Sequence, residues 1–159
     1  MLLSSDSEVA TTSIFLASLA AVREFREELL TKIGVSKIKT RNVNLFVYTE
    51  LENGTKKERP DGLIVITSGK HKPVIEWAAF IEAKVSDQKI EEPQIARYIN
   101  FGKEIGIDTI ITISNEMVTS PTDSPVSTNK KFNLHHWSWT YLKVIASKLI
   151  RDDGIADED

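Results

Sequence analysis

Asp61, Glu82 and Lys84 are the side chains best suited to chemistry in this sequence. Glu82 and Lys84 interrupt the apolar run from Val74 to Val85 and stand two residues apart, so on a strand they share one face of a sheet. A hairpin centred between His71 and Lys72 would set Asp61 directly opposite Glu82. Opposed carboxylates repel, and a purely structural sheet is destabilised by them. A divalent cation between them reverses the sign, because hard Asp and Glu oxygens suit Mg²⁺ or Mn²⁺, and Mg²⁺ keeps several waters for a phosphate and a nucleophile. Lys84 beside such an ion could orient the attacking water and stabilise charge on a phosphate oxygen. The competing structural reading has Asp61 close a turn after Pro60 and Glu82 pair with Lys84.

The surrounding pattern supplies elements to position these groups. Ser5 and Glu8 form a capping-box pair that opens one long helix, and Gly34 is placed to end it. Phe15, Leu19, Val22, Phe25, Leu29, Leu30 and Ile33 gather on its apolar stripe, with Arg26 lying among them as a stem that snorkels to water. From Val43 the period changes to two, Asn53-Gly54 gives a hairpin signal, and Gly62 to Thr67 forms a second strand. Ser68 to Pro73 is a turn, and Val74 to Val85 a third, central strand. A helix spans about Glu91 to Gly106, with Pro93 in its first turn. Asp108 to Ser114 is a short apolar strand, and Asn115 to Lys131 a long connection rich in Ser, Thr and Pro. Phe132 to Trp137 reads as a further strand, and Ser138 to Arg151 as a helix capped by Ser138. Residues 1–151 read as one domain, and 152–159 as an acidic, frayed tail. The order is α-β-β-β-α-β plus a C-terminal strand and helix, an α/β domain with a central mixed sheet flanked by helices.

Arg59-Pro60-Asp61-Gly62 opens one strand, Phe80-Ile81-Glu82-Ala83-Lys84-Val85 lies on its neighbour, and the next helix carries Gln94-Ile95-Ala96-Arg97-Tyr98. Together these resemble the PD-(D/E)XK nuclease superfamily, and the Gln-x-x-x-Tyr is similar to the signature of its RecB-like exonuclease branch. The resemblance covers roughly residues 29–114. It implies a restriction-endonuclease-like fold and a metal-dependent nuclease that hydrolyses phosphodiester bonds, with DNA the first choice of substrate. It also implies Asp61, Glu82 and the Ala83 carbonyl as ligands of Mg²⁺ or Mn²⁺, Lys84 as the residue that positions or activates water, and Gln94 and Tyr98 as accessory residues. The alternative is a catalytically inactive module of that fold that binds nucleic acid or a protein partner.

On the helical wheel Gln94 shares the stripe of Ile95, Tyr98, Ile99, Phe101 and Ile105, which aims an amide at the sheet near a helix N-terminus. Either it is satisfied by nearby backbone while Tyr98 packs, or the pair holds the phosphate backbone or the Lys84 region. Such nucleases often carry another carboxylate before the Asp, frequently on the first helix, but Glu24, Glu27 and Glu28 fall off the apolar stripe. Glu50 is the better candidate: a first hairpin turning around Thr55-Lys56 would set it opposite Asp61. A tight turn on Asn53-Gly54 would put Phe46 there instead.

Composition bounds the partners. The 159 residues are 41% hydrophobic and 27% charged with a net charge of -3, which suits a packed domain and offers no global basic field for nucleic acid or an acidic membrane. Polyanion contacts must then be local, at Lys37, Lys39 and Arg41, at Lys56, Lys57 and Arg59, at Lys70 and Lys72, or at Lys130 and Lys131, although scattered lysines are usually just solvated surface. The absence of cysteine removes disulfides, thiol catalysis and Cys-ligated zinc, and is compatible with a reducing cytoplasm. The uncharged run Val9 to Val22 falls short of the about 20 apolar residues needed to cross a bilayer. Asp6 and Glu8 do not suit a cationic leader. A soluble, cytoplasmic protein is expected. Adjacent His135 and His136 would point to opposite faces of a strand and not share a metal. Trp137 and Trp139 could stack on bases, but their place before an apolar helix favours core packing.

Overall fold

A computed structural model of the chain describes residues 3–49, 59–127 and 131–156, and the side chains of residues 8–152 among them. The alternating segments pair as a five-stranded sheet in the order β1-β2-β3-β4-β5, from β1 (Val43–Thr49), β2 (Gly62–Ser68), β3 (Val74–Ala83), β4 (Thr109–Ser114) and β5 (Asn133–Ser138). β2 runs antiparallel to both of its neighbours, β1 and β3, whereas β3, β4 and β5 run parallel, so the sheet is mixed. The helix between β3 and β4, α3 (Glu92–Ile105), supplies the crossover that a parallel pair needs.

Both hairpin registers bear on the site. Gly62 pairs with Ile81 and Leu63 with Phe80, the register of a turn centred between His71 and Lys72. Nearer the turn it slips by one residue after Ile66, leaving Glu76 as the extra residue of a bulge. The cause lies in tertiary structure, because the Glu76 carboxylate is held by Ser68 and by Lys37. In the first hairpin Thr49 pairs with Gly62 and Phe46 with Val65, which is the wider-turn register. The tight turn on Asn53-Gly54 that would oppose Phe46 to Asp61 is therefore overturned. Glu50 lies outside the described residues.

The expected single N-terminal helix is two. α1 (Leu3–Ala21) and α2 (Arg23–Lys32) meet at Val22, whose φ of -104° and ψ of 104° are extended. Val22 is consequently exposed and leaves the apolar stripe, while Phe25, Leu29, Leu30 and Ile33 remain buried. Arg26 does more than snorkel: its Nη1 donates to the Ala20 carbonyl at 2.7 Å, satisfying an acceptor that the break would otherwise orphan. Because α1 begins at Leu3, Ser5 is inside the helix and is not its cap. At the far end of α2 the expected glycine stop holds: Gly34 has a φ of 90°, and Val35 and Gly34 donate to Leu30 and Thr31 in a Schellman arrangement.

One sheet face packs on α1, α2 and α4 (Trp139–Ala156) through Leu16, Leu19, Leu29, Ile64, Ile81, Ile111 and Trp137. The other packs on α3 through Phe80, Ile95, Tyr98, Ile99 and Ile110. α1 crosses the start of β2 so closely that a methyl on Gly62 would lie 2.7 Å from Leu16 Cδ1. Ile105 of α3 is exposed, contrary to its place on the predicted stripe, although Gly102 in the same turn is buried against Phe80. α4 continues to Ala156, past the expected end at Arg151, since Gly154 weakens a helix by about 1 kcal/mol without removing a backbone donor.

Ser138 accepts from the Tyr141 N–H at 3.0 Å and caps α4 as its sequence position predicts. Ser138→Ala should cost about 1 kcal/mol, a fall of about 2–4 °C in melting temperature for a chain of this size. A thermal melt checks it.

Candidate active site

At one end of the sheet the lead into β2, the last residues of β3, the first turns of α1 and the N-terminal half of α3 converge. Asp61 directly precedes β2, and its Oδ2 accepts the Ala83 N–H at 2.8 Å. Glu82 is 2% exposed, and its Oε1 lies 3.1 Å from Lys84 Nζ. Its Oε2 is buried and makes no hydrogen bond among the described residues. The opposition of Asp61 and Glu82 expected from the hairpin is thus realised, with the ammonium beside them.

The backbone at Lys84 is fixed from two sides. Its N–H donates to Ile113 of β4 at 2.8 Å, and its carbonyl accepts from Trp139 Nε1 at 2.7 Å. Trp139 therefore serves the site as a backbone clamp, while Trp137 is fully buried in the core and out of reach of any base. Beyond Lys84, Asn115 Nδ2 donates to the Ser86 carbonyl and the Ile90 N–H donates to Glu116 Oε2, tying the β3–α3 connection to the end of β4.

Gln94 and Tyr98 are brought to the same place. Gln94 Nε2 donates to the Tyr98 hydroxyl at 3.0 Å, and that hydroxyl donates to the Arg59 carbonyl at 3.0 Å, just before Asp61. Gln94 Oε1 is buried and makes no hydrogen bond among the described residues. The helix thus presents an amide oxygen whose need is unmet and a ring that holds the Pro60-Asp61 segment in position.

Glu8 was not anticipated. It approaches Lys84 at 4.0 Å and feels the charge of Asp61. The signal for it existed, since Glu8, Thr12, Phe15, Leu16 and Leu19 follow helical spacing down one side of α1, and Thr12, Phe15, Leu16 and Leu19 are buried there. Counting only apolar residues starts that stripe at Phe15 and misses its polar end.

Burial dominates the electrostatics. Desolvation, then the charge of Asp61, pushes the Glu82 carboxyl up to about 8 against the opposing pull of Lys84. Burial also raises Asp61, opposed by the Ala83 N–H and Lys84, and raises Glu8, opposed by Lys84. For Lys84 burial acts to lower the pKa, but Glu82, Glu8 and Asp61 outweigh it, so the ammonium is held above its ordinary value. In the absence of a metal Lys84 is thus a hydrogen-bond donor at the site. Burial, then Glu82, raises the Tyr98 hydroxyl, which stays a proton donor.

No three His, Asp or Glu side chains among the described residues stand together as a ready cage for a metal. The donor set nonetheless fits Mg²⁺ or Mn²⁺, which need only one or two carboxylates and otherwise keep water. Once ionised, Glu82 would offer a buried oxygen, Oε2, that makes no hydrogen bond among the described residues, and Asp61 gives its Oδ2 to the Ala83 N–H. The histidines are elsewhere: His136 is buried between Thr112 Oγ1 at 2.7 Å and the Glu116 carbonyl at 2.9 Å, and half-buried His135 lies apart from it, so the two do not form a site. Of the basic clusters, Lys37 is neutralised by Glu76, and Lys56, Lys57 and Lys130 lie outside the described residues.

No protein-family model, no curated protein and no solved structure matches the chain. No helix among the described residues is long and apolar enough to cross a membrane.

Between about pH 4.5, the ordinary value for Glu82, and about 8, the folded protein keeps a proton that the unfolded chain has released. Stability without metal should therefore fall as pH rises through that window, with Asp61 and Glu8 acting in the same direction. Glu82→Gln cannot ionise, so it should flatten the slope and melt several degrees higher than the parent above pH 8. Melts of both proteins in chelator across the window test this, and parallel curves would remove Glu82 as the source.

Proposed function

We propose that the protein is a metal-dependent nuclease of the PD-(D/E)XK type, hydrolysing phosphodiester bonds, with DNA as the first substrate to test. The observation that carries this reading is the buried Glu82 carboxylate, with one oxygen unpartnered, set beside Asp61 and Lys84 at a sheet end. A structural sheet gains nothing from such a group, and an oxygen ligand set does. The element order α-β-β-β-α-β and the Gln94 and Tyr98 pair on the following helix support the same assignment.

Asp61 and Glu82 would hold the cation, with the Ala83 carbonyl as a third oxygen, and the bound ion would supply Lewis acidity toward phosphate and water. Lys84, held as a cation, donates to a phosphate oxygen or orients the water, and its favourable interaction grows as charge develops in the transition state. Tyr98 fixes the Arg59–Asp61 segment through the Arg59 carbonyl, and Gln94 Oε1 is available to a water or to the Lys84 region. Glu8 adds a third carboxylate within the influence of Lys84 and helps to hold it protonated. Cleavage ascribed to the full Asp61, Glu82 and Lys84 set distinguishes this reading from an inactive binding module, which has no need of all three.

The test is incubation with circular, linear and single-stranded substrates plus Mg²⁺ or Mn²⁺. Asp61→Asn and Glu82→Gln should abolish cleavage and leave the fold intact, each removing a ligand. Lys84→Ala should lower kcat far more than it raises KM, because its role is realised at the reacting phosphate. It also controls for a contaminating nuclease, since undiminished turnover would remove Lys84 from the mechanism.

The Gln94 and Tyr98 pair separates packing from function. If it only packs, Gln94→Leu should be neutral or stabilising, because an unsatisfied buried amide oxygen is removed. In the proposed role the variant loses activity while its melting temperature holds. Tyr98→Phe should lose both the Arg59 anchor and part of the activity.

A further inference from the structure

Beside the candidate site, one face of β1 is left open by the described residues. On β1, Val43, Leu45 and Val47 pack into the core shared with α1 and α2, so Asn44, Phe46 and Tyr48 project from the other face. The core under α3 ends at Leu63 and Ala78 and includes neither Phe46 nor Tyr48. These two rings are 46% and 49% exposed. Tyr48 pairs with Leu63 and Phe46 with Val65, so the rings stand in successive rows beside Asp61, each row about 7 Å from the next.

We propose that Phe46 and Tyr48 form a stacking platform for unpaired bases of a nucleic-acid strand that runs from the candidate site along β1 and β2. This deepens the nuclease reading and rests on it for the position of the scissile bond. Aromatic rings on an open sheet face bind bases by stacking, and the spacing allows one base for each ring. Charge suits a polyanion. The exposed Lys70 and Lys72 of the Gly69–Pro73 turn stand at the far end of the strip, whereas Lys84 at the near end is already matched by Glu82 and Glu8. Between the row of Asp61 and Glu82 and that turn, the strand positions on this face, Asn44, Phe46, Tyr48, Leu63, Val65, Thr67, Ala78 and Phe80, include no acid. The bulged Glu76 is turned to Ser68 and Lys37. A second copy of the chain is the weaker occupant, because two half-exposed rings and a partly buried Val65 offer only about 200 Å², well short of the about 800 Å² per partner in a stable protein interface.

Binding is read apart from cleavage, by fluorescence anisotropy of labelled oligo(dT), oligo(U) and a duplex of equal length, in chelator. The full chain should prefer the single strands, and the preference for oligo(dT) or oligo(U) identifies which strand the platform takes. Phe46→Ala and Tyr48→Ala should each weaken single-strand binding about 5- to 150-fold, the range of one lost stack. Phe46→Leu should also weaken it, because apolar area without a π-face does not stack, whereas Phe46→Trp and Tyr48→Phe should retain it. All these positions are exposed, so the variants should fold as the parent does. Single-strand binding that is absent in the parent, or unchanged in both alanine variants, overturns the platform. So does a concentration-dependent dimer in sedimentation that the alanine variants abolish while strand binding stays unchanged. Failure of the nuclease reading looks different: the parent binds single strands through the two rings yet cleaves none with any divalent ion.

Discussion

The Ala83 N–H donated to the Asp61 carboxylate is the interaction around which the site is arranged. At that point the β2–β3 ladder has ended at Gly62 and Ile81, and a side chain takes over from backbone as the acceptor. The bond fixes the Asp61 carboxylate against the end of β3 and so against Glu82. It also opposes the effect of burial on Asp61, favouring the charged form that a cation would require. Tyr98, β4 and Trp139 each act on one of the two segments that this bond joins. Tyr98 holds the segment before Asp61 through Arg59, and β4 and Trp139 hold the segment after Ala83 through Lys84.

Two carboxylates beside one ammonium leave the centre with surplus negative charge, and Glu8 adds to it. In a protein interior such a group neutralises by taking up a proton, which is what burial and Asp61 impose on Glu82. Lys84 does not cancel the surplus, because one cation is shared among three acids. The fold therefore holds a charge imbalance in a rigid frame, its backbone pinned on both sides and its helices packed closely over it. Such an arrangement costs stability in the absence of a counter-ion, a cost that a bound cation would offset.

Much of this was legible in the sequence because it follows from local rules. Alternation and the position of the second turn set the register that opposes Asp61 to Glu82, and helical spacing turned Gln94 and Tyr98 toward the sheet. Ser138 and Gly34 marked helix ends by their own chemistry. What escaped reading was decided by contacts distant in sequence. Nothing in the composition around Val22 breaks a helix; the break is completed by Arg26 reaching back to Ala20. The bulge at Glu76 depends on Lys37, 39 residues away. Trp139 looked like core or a base-stacking ring, and its role as clamp required knowing that α4 begins against the end of β3.

Glu8 shows why a polar residue on an apolar stripe carries more information than the stripe itself. Each apolar residue from Phe15 to Leu19 on the packed side of α1 is explained by the core it fills, and any of several side chains would serve. A carboxylate in the same line, half desolvated and raised by that burial, is not explained by packing. Its compensation must come from what it faces, and it faces Lys84. The close approach of α1 allowed by Gly62 brings that end of the helix down to the sheet. The glycine after Asp61 therefore makes room for the helix that carries the third acid, so one short segment, Pro60-Asp61-Gly62, sets both the carboxylate and the space in which its neighbours meet.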